Sequence, residues 1–222
     1  ALPIYAVLIR GVPLKISQCK VYPGDAKNQP DPYGGCNAAS VDSELSVLGL
    51  FTPQISGTLN NPLYRDSTSA NDGDTKQTPP LGMLFVSRLD APTAAAVRNM
   101  VTAGIKAERE GLWGWGYIDL RSLSAEGYAR GDQWIRKAGQ AMRRNGIPVL
   151  SDDLPDTLQA GFPVTDAAAY YGWHAEHIDG PFADPSFRFV PGAVAVHLHS
   201  FSATTLRDAK KGWTGPLLEH GA

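Results

Sequence analysis

Side chains that could support nucleophilic catalysis are concentrated near the carboxyl end of the chain. The stretch AVAVHLHSFSAT places His197, His199, Ser200 and Ser202 at the end of an apolar run. A serine becomes a nucleophile when a base lies within hydrogen-bonding distance and nearby donors stabilise the oxyanion. The stretch therefore predicts a hydrolase-type site with Ser200 or Ser202 as nucleophile. The G-x-S-x-G motif is absent, however, and serines that only bond loop backbone fit the same residues. The candidate bases are His174, His177 and His199.

The same histidines fit a metal site as the alternative. All five histidines lie between 174 and 220, and the HxH spacing places His197 and His199 on one face of a strand. Neutral imidazoles ligate divalent metals, so these two residues are the candidate metal ligands. Half-buried histidines that are only hydrogen-bonded beneath a helix fit this spacing too. Apart from such a divalent metal, the sequence predicts no cofactor.

Three further residues are candidates for substrate binding. Arg88 lies at the end of the apolar run MLFVS and can hold a carboxylate or carbonyl, or form a structural salt bridge. Asp42, in SVDSEL, can bind a cation or line a site, or can be an acidic residue at a helix start. Trp173 can form an aromatic ledge with LWGWGY, or pack in the core.

Cys19 and Cys36 are the only cysteines, and they flank a segment rich in proline and glycine. One disulfide in an oxidising compartment and two reduced thiols fit this pair equally well. Neither cysteine has a second ligand at CxxC or CxxH spacing, which argues against a zinc site.

The composition limits the classes of partner. The chain has 20 Lys and Arg against 22 Asp and Glu, which gives a formal net charge of −2. No block of like charges suits a nucleic acid, so nucleic acid is excluded as a partner. The apolar runs have the length of strands and fall short of the roughly 20 residues of a membrane span. The composition alone indicates no ligand.

Strand and helix signals alternate in the second half of the chain. MLFVS, GYIDL and IPVLS predict strands, and helical periodicity runs from Pro92 to Gly111 and from Glu126 to Gly146. AAAYYGW and GAVAVHLHS add two strands. This alternation predicts an α/β fold with a mainly parallel sheet and helices on both faces. The carboxyl ends of parallel strands share one edge, where ligands bind, and HSFSAT would lie at that edge.

We expect one α/β domain over 1–222 with a long irregular insertion at about 17–80. Prolines and glycines interrupt the apolar runs there, apart from ASVDSELSVLGL, which could form a helical turn or two. The chain starts without Met and stops after the helix-ending EHGA. It is therefore expected to be a fragment of a longer protein, truncated at both ends.

Seven segments, taken in order, resemble an uncharacterised family of bacterial proteins over nearly the whole chain. The resemblance implies a longer exported parent, secreted or periplasmic, and it implies no activity. The segments are YAVLIRGVPLKI, ASVDSEL, NPLY, SRLDAPTAAAVRNMV, YYGW, GPF and PGAVAVHLHSFSATTLR.

A more distant resemblance is to gingipain-type cysteine peptidases of the caspase-like fold, and it is carried by the order of strands and helices that ends in YYGWH and VAVHLHS. It implies a three-layer α-β-α fold with His174 at the place of the catalytic histidine and Ser200 at the place of the nucleophilic cysteine. Ala175 stands where a glycine would follow that histidine. The resemblance implies an exported protein of peptidase-like fold with a repurposed or inactive site, whose ligand would be a peptide or a protein. The alternatives are a hydrolase that uses Ser200 and His174, and a metal-binding protein that uses His197 and His199.

Overall fold

A computed structural model of the protein describes residues 5–14, 40–49 and 83–222. Cys19 and Cys36 lie outside these residues, as does most of the irregular insertion expected at 17–80. Residue contacts divide the chain into two compact units, Ala1–Leu89 and Asp90–Ala222. None of the helices in the described ranges combines the length and the apolar character that crossing a membrane requires.

The first unit contains one parallel pair of strands and one short helix. The pair is formed by β1 (Tyr5–Ile9) and β2 (Phe85–Leu89). α1 (Val41–Ser46) begins after Ser40, whose side-chain oxygen accepts a hydrogen bond from the Ser43 backbone at 2.9 Å. Such a hydroxyl cap satisfies an amide at a helix start that has no partner within the helix. The strand predicted in MLFVS and the helical turn predicted in ASVDSELSVLGL are confirmed.

The second unit is built on a four-stranded sheet in which every strand pair is parallel. Its order is β4-β3-β5-β6. The prediction of an α/β fold with a mainly parallel sheet is therefore confirmed. The strands are β3 (Trp115–Asp119), β4 (Val149–Asp152), β5 (Ala167–Trp173) and β6 (Val194–Leu198).

The first two helices of this unit follow the predicted periodicity. Thr93 caps the first of them by accepting a hydrogen bond from the Ala96 backbone at 3.1 Å, and Gly111 follows its last turn. They are α2 (Ala94–Glu110), α3 (Glu126–Arg144) and α4 (Thr214–Glu219), with a short 3-10 helix at Gly180–Ala183.

Apolar side chains cover both faces of the four-stranded sheet. Tyr117 and Ile118 are neighbours on β3 and point to opposite faces, as alternation along a strand requires. On the Ile118 face, α3 contributes Ile135 and Met142 to a cluster that also contains Trp173. On the Tyr117 face lies an aromatic core, whose largest members are Tyr170, Phe182, Phe187, Phe189 and Trp213.

Candidate ligand-binding site

Polar residues stand at the carboxyl ends of all four strands in the second unit. β3 ends at Asp119 and β4 at Asp152, His174 follows β5, and His199 and Ser200 follow β6. Because the strands are parallel, these ends lie along one edge of the sheet, which is where open parallel sheets bind ligands. We call this edge the carboxyl edge.

Asp119 is buried at this edge, with 1% of its surface exposed. The Tyr170 hydroxyl donates a hydrogen bond to Oδ2 at 3.1 Å, whereas Oδ1 has no hydrogen-bond partner among the described residues. Burial raises the pKa of Asp119 from its ordinary 3.8 to about 6, and bonds from Tyr170 and the Leu158 backbone only partly offset that effect. The carboxyl group can therefore gain or lose a proton close to neutral pH.

Gly172 provides the space that the Tyr170 hydroxyl occupies. The two residues lie on the same face of β5, and a Cβ at position 172 would come within 2.1 Å of Tyr170 Oη. Burial and the neighbouring Asp119 raise the pKa of Tyr170 well above its ordinary value. The hydroxyl therefore keeps its proton and acts as a donor to the carboxylate.

His197 lies beside Gly172 in the strand register and faces the aromatic core. Its ring stacks on Trp213 with centroids 4.3 Å apart, and its Nδ1 is hydrogen-bonded with Ser202 Oγ at 2.5 Å. The pKa of His197 is lowered to about 3, mainly by burial and to a smaller extent by electrostatic interactions with His199, Arg121 and His174. The imidazole is therefore neutral, and its Nε2 is buried without a partner in the described structure.

Four buried side-chain atoms in the described ranges lack a hydrogen-bond partner, and we call them the orphan atoms. Ring contacts and electrostatic interactions link the residues that carry them: Trp213 stacks on His197 and Tyr170, and Arg121 acts on the pKa of Asp119 and of His197. Each unsatisfied polar group costs about 1–3 kcal/mol of stability, so natural proteins contain few of them. The residues that carry these buried atoms form one connected group. The orphan atoms are Asp119 Oδ1, Arg121 Nε, His197 Nε2 and Trp213 Nε1.

A carboxylate of α3 fixes the backbone that carries Arg121. Asp132 accepts hydrogen bonds from Arg121 N at 3.0 Å, Ser122 N at 2.9 Å and Trp173 Nε1 at 2.8 Å. Ser122 has a φ of 50°, a left-handed conformation that non-glycine residues adopt only when surrounding contacts hold them. The exit from β3 is therefore held rigidly.

An open cleft of about 390 Å³ adjoins this arrangement. It is lined by Arg121, by residues 156–160 after β4, and by Ala175 and Asp179 after β5. A larger open groove of about 550 Å³ lies between α2, α4 and residues 188–191, but it contains none of the orphan atoms. Arg121, which carries one of the orphan atoms, lines the smaller cleft, and this cleft is therefore the candidate binding site.

The residues predicted to be catalytic lie at the carboxyl edge in pairs other than those expected. Ser202 is buried and bonds His197, whereas Ser200 is exposed. His174 has a φ of 56°, and its ring meets that of His199 with centroids 5.6 Å apart. The sequence predicts a serine nucleophile with His174, His177 or His199 as its base. The serine–imidazole hydrogen bond that the described residues form at this edge instead joins Ser202 to His197, which was predicted to be a metal ligand.

The predicted metal ligands are engaged in hydrogen bonds of their own. The rings of His197 and His199 have centroids 6.1 Å apart, and His199 Nδ1 accepts a hydrogen bond from the Phe201 backbone at 3.2 Å. The part of the chain that the structure describes contains no group of three or more His, Cys, Asp or Glu residues arranged to hold a metal ion.

The three predicted substrate-binding residues have structural partners. Arg88 Nε donates to both carboxylate oxygens of Asp42 at 2.8 Å in the first unit. Trp173 is buried against α3 and bonds Asp132. Each residue shows the alternative that the sequence also allowed. Arg88 forms a structural salt bridge, Asp42 lies in the first turn of α1, and Trp173 packs in the core.

The sequence reasoning did not identify Asp119, Arg121, Tyr170 or Trp213 as site residues. A weak signal existed for the first two, because the run GYIDLRS ends an apolar strand with an acid and follows it with a base. No comparable signal pointed to Trp213, which approaches the sheet from a segment distant in sequence. No protein family, curated protein or solved structure matches this chain.

Proposed function

We propose that the unit Asp90–Ala222 binds a small peptide-like ligand in the cleft at its carboxyl edge. The observation that carries this proposal is that Arg121, whose Nε is one of the orphan atoms, lines that cleft. A protein loses stability by burying such atoms without partners. That loss is offset when a ligand supplies the missing hydrogen bonds.

The polar groups that line the cleft favour a peptide group. Arg121 carries N–H donors, whereas the Asp156 and Asp179 side chains offer oxygen acceptors. An amide presents a carbonyl acceptor and an N–H donor side by side, which suits this mixture. Thr157 and Gln159 add polar side chains to the cleft wall. A hydrocarbon ligand would leave all of these groups unsatisfied.

The two sequence resemblances support a wider form of the proposal. In that form the second unit has a three-layer caspase-like fold, and the protein is exported to the periplasm or the cell exterior. Peptides are the substrates of caspase-like peptidases, so a peptide ligand agrees with this fold.

Hydrolysis of the bound peptide is a second candidate function. Ser200 is exposed directly after β6, and the rings of His174 and His199 contact each other at the same edge. A histidine near an exposed serine can act as its base. Release of a chromogenic amine from peptide anilides, lost in Ser200→Ala, would support this candidate, and equal release by the variant would exclude it.

The binding proposal is tested by filling the cleft. Ala160 is exposed on the cleft wall, so Ala160→Trp should obstruct the ligand while leaving the core intact. We expect blocked dipeptides to bind the wild-type protein in isothermal titration calorimetry, and their affinity to fall at least about tenfold in Ala160→Trp. The matched control Ala94→Trp, at an exposed position outside the cleft, should bind like the wild type. Absence of binding to every dipeptide, or equal affinity in Ala160→Trp, would contradict the proposal.

A further inference from the structure

Arg121 carries a positive charge that has no ion-pair partner in the described ranges. Its side chain is half-buried and lines the cleft. Its Nε atom is fully buried and makes no hydrogen bond there. A partly desolvated cation without a partner is unfavourable, and arginines in such places commonly bind anions.

The carboxylates around the cleft are occupied elsewhere or lie beyond ion-pair distance. Asp179 accepts hydrogen bonds from Gly180 N at 2.7 Å and from Thr157 Oγ1 at 3.2 Å. Asp119 interacts electrostatically with Arg121 but forms no ion pair with it, and Asp156 is exposed and makes no ion pair with the guanidinium. The positive charge of Arg121 therefore remains available to a bound molecule.

We infer that Arg121 is the specificity-determining residue of the cleft and binds a carboxylate of the ligand. A guanidinium binds a carboxylate through two parallel hydrogen bonds, and the Arg121 side chain lines the cleft in which a ligand would bind. The inference rests on the proposed peptide-binding function and names the group that the site selects. The preferred ligand is then a peptide that ends in a free carboxylate or has an acidic side chain.

The backbone around Arg121 prepares this side chain for binding. Asp132 holds both Arg121 N and Ser122 N, so the base of the side chain does not have to be ordered when the ligand arrives. Binding to groups that are already positioned avoids part of the entropy loss of association. Cleft volumes of about 300–1,000 Å³ are typical of small-ligand sites, and the 390 Å³ of this cleft lies near the lower end of that range. One or two ligand residues therefore fit.

The test compares acidic and neutral forms of one ligand. The probes are acetyl-Ala-Ala with a free carboxylate, the same dipeptide as its amide, acetyl-Ala-Asp-amide and inorganic phosphate, each titrated calorimetrically. In the wild-type protein at least one acidic peptide should bind about tenfold to a hundredfold more tightly than the neutral amide, the usual effect of a charge-assisted hydrogen bond. The two acidic probes distinguish a terminal carboxylate from a side-chain carboxylate.

Three variants assign the effect to Arg121. Arg121→Gln should bind acidic and neutral peptides with equal affinity, and Arg121→Lys should keep part of the preference because it retains charge but loses the two-bond geometry. The matched control Arg144→Gln changes an exposed arginine at the end of α3 and should bind like the wild type. Circular dichroism spectra and thermal unfolding verify that each variant is folded.

The outcomes separate this inference from the function on which it rests. If the wild-type protein binds the acidic and neutral peptides equally, the carboxylate inference is wrong and the peptide-binding function stands. If no peptide binds, both are wrong. Preferential binding of phosphate over every acidic peptide would also overturn the inference, as would an acid preference that persists in Arg121→Gln.

Discussion

Replacement of Asp119 by asparagine should change how the stability of the protein depends on pH. Burial holds the pKa of this carboxyl at about 6 in the folded state, against its ordinary 3.8. The folded protein therefore keeps a proton that the unfolded chain releases between these two pH values. Because the folded state binds more protons in that window, the free energy of unfolding falls as pH rises through it. Asparagine has no proton to lose, so the variant should lack this dependence.

The size of the effect follows from the pKa difference. The pKa of Asp119 rises from 3.8 to about 6, and each pKa unit corresponds to about 1.4 kcal/mol. Ionised Asp119 therefore destabilises the folded protein by about 3 kcal/mol at neutral pH relative to the fully protonated state. The side chain is 1% exposed, so solvent screening reduces this value little.

Urea unfolding from about pH 3.5 to about pH 7.5 measures the prediction directly. The difference in free energy of unfolding between Asp119→Asn and the wild type should move in favour of the variant by about 3 kcal/mol over this range. The buried amide of asparagine changes the stability by a constant amount, which cancels in that pH-dependent difference. Exposed Asp153 serves as the control, because Asp153→Asn removes a carboxyl whose pKa is lowered by hydrogen bonds from Ser122 and Arg136. A difference that stays constant with pH for Asp119→Asn would refute the reasoning.

Two further predictions concern the supports of the site. Gly172→Ala should destabilise the protein by about 1–3 kcal/mol, because overpacking forces buried groups out of place and the new Cβ would lie 2.1 Å from Tyr170 Oη. The control is Gly104→Ala in α2, where no atom outside the helix's own backbone lies within 4 Å of the new Cβ. This variant should be neutral or stabilising in the same urea experiment. Ser202→Ala should lower the free energy of unfolding by about 1–3 kcal/mol, because it leaves His197 Nδ1 buried without a partner. Ser200 is exposed, so Ser200→Ala should unfold thermally like the wild type, whereas Ser202→Ala should unfold at a lower temperature. Equal stability of the members of either pair would contradict these assignments.

The helices and strands of the second unit could be predicted because their signals are local. Thr93 caps the start of α2 and Gly111 caps its end. The apolar runs of the strands have the length that is typical of parallel strands covered on both faces. Parallel pairing followed from the alternation of strand and helix. A site at the carboxyl edge is a prediction from that topology.

The chemistry of the site could not be predicted in the same way, because it depends on which side chains meet in three dimensions. Ser202 and His174 look like a nucleophile and its base in sequence, yet the loop after β6 folds back so that Ser202 bonds His197. The unsatisfied state of Asp119 Oδ1 and Trp213 Nε1 is a property of the packed structure. A sequence pattern shows that a polar residue is present, but not whether its hydrogen bonds are satisfied.

The three hydrogen bonds of Asp132 also have a consequence for motion. One carboxylate of α3 holds the exit of β3 and the indole at the end of β5 at the same time. Sliding of this helix along the sheet would therefore displace the guanidinium of Arg121 and the ring of Trp173 together. A molecule seated on that guanidinium would slow amide hydrogen exchange in the first turns of the helix, although it touches none of them.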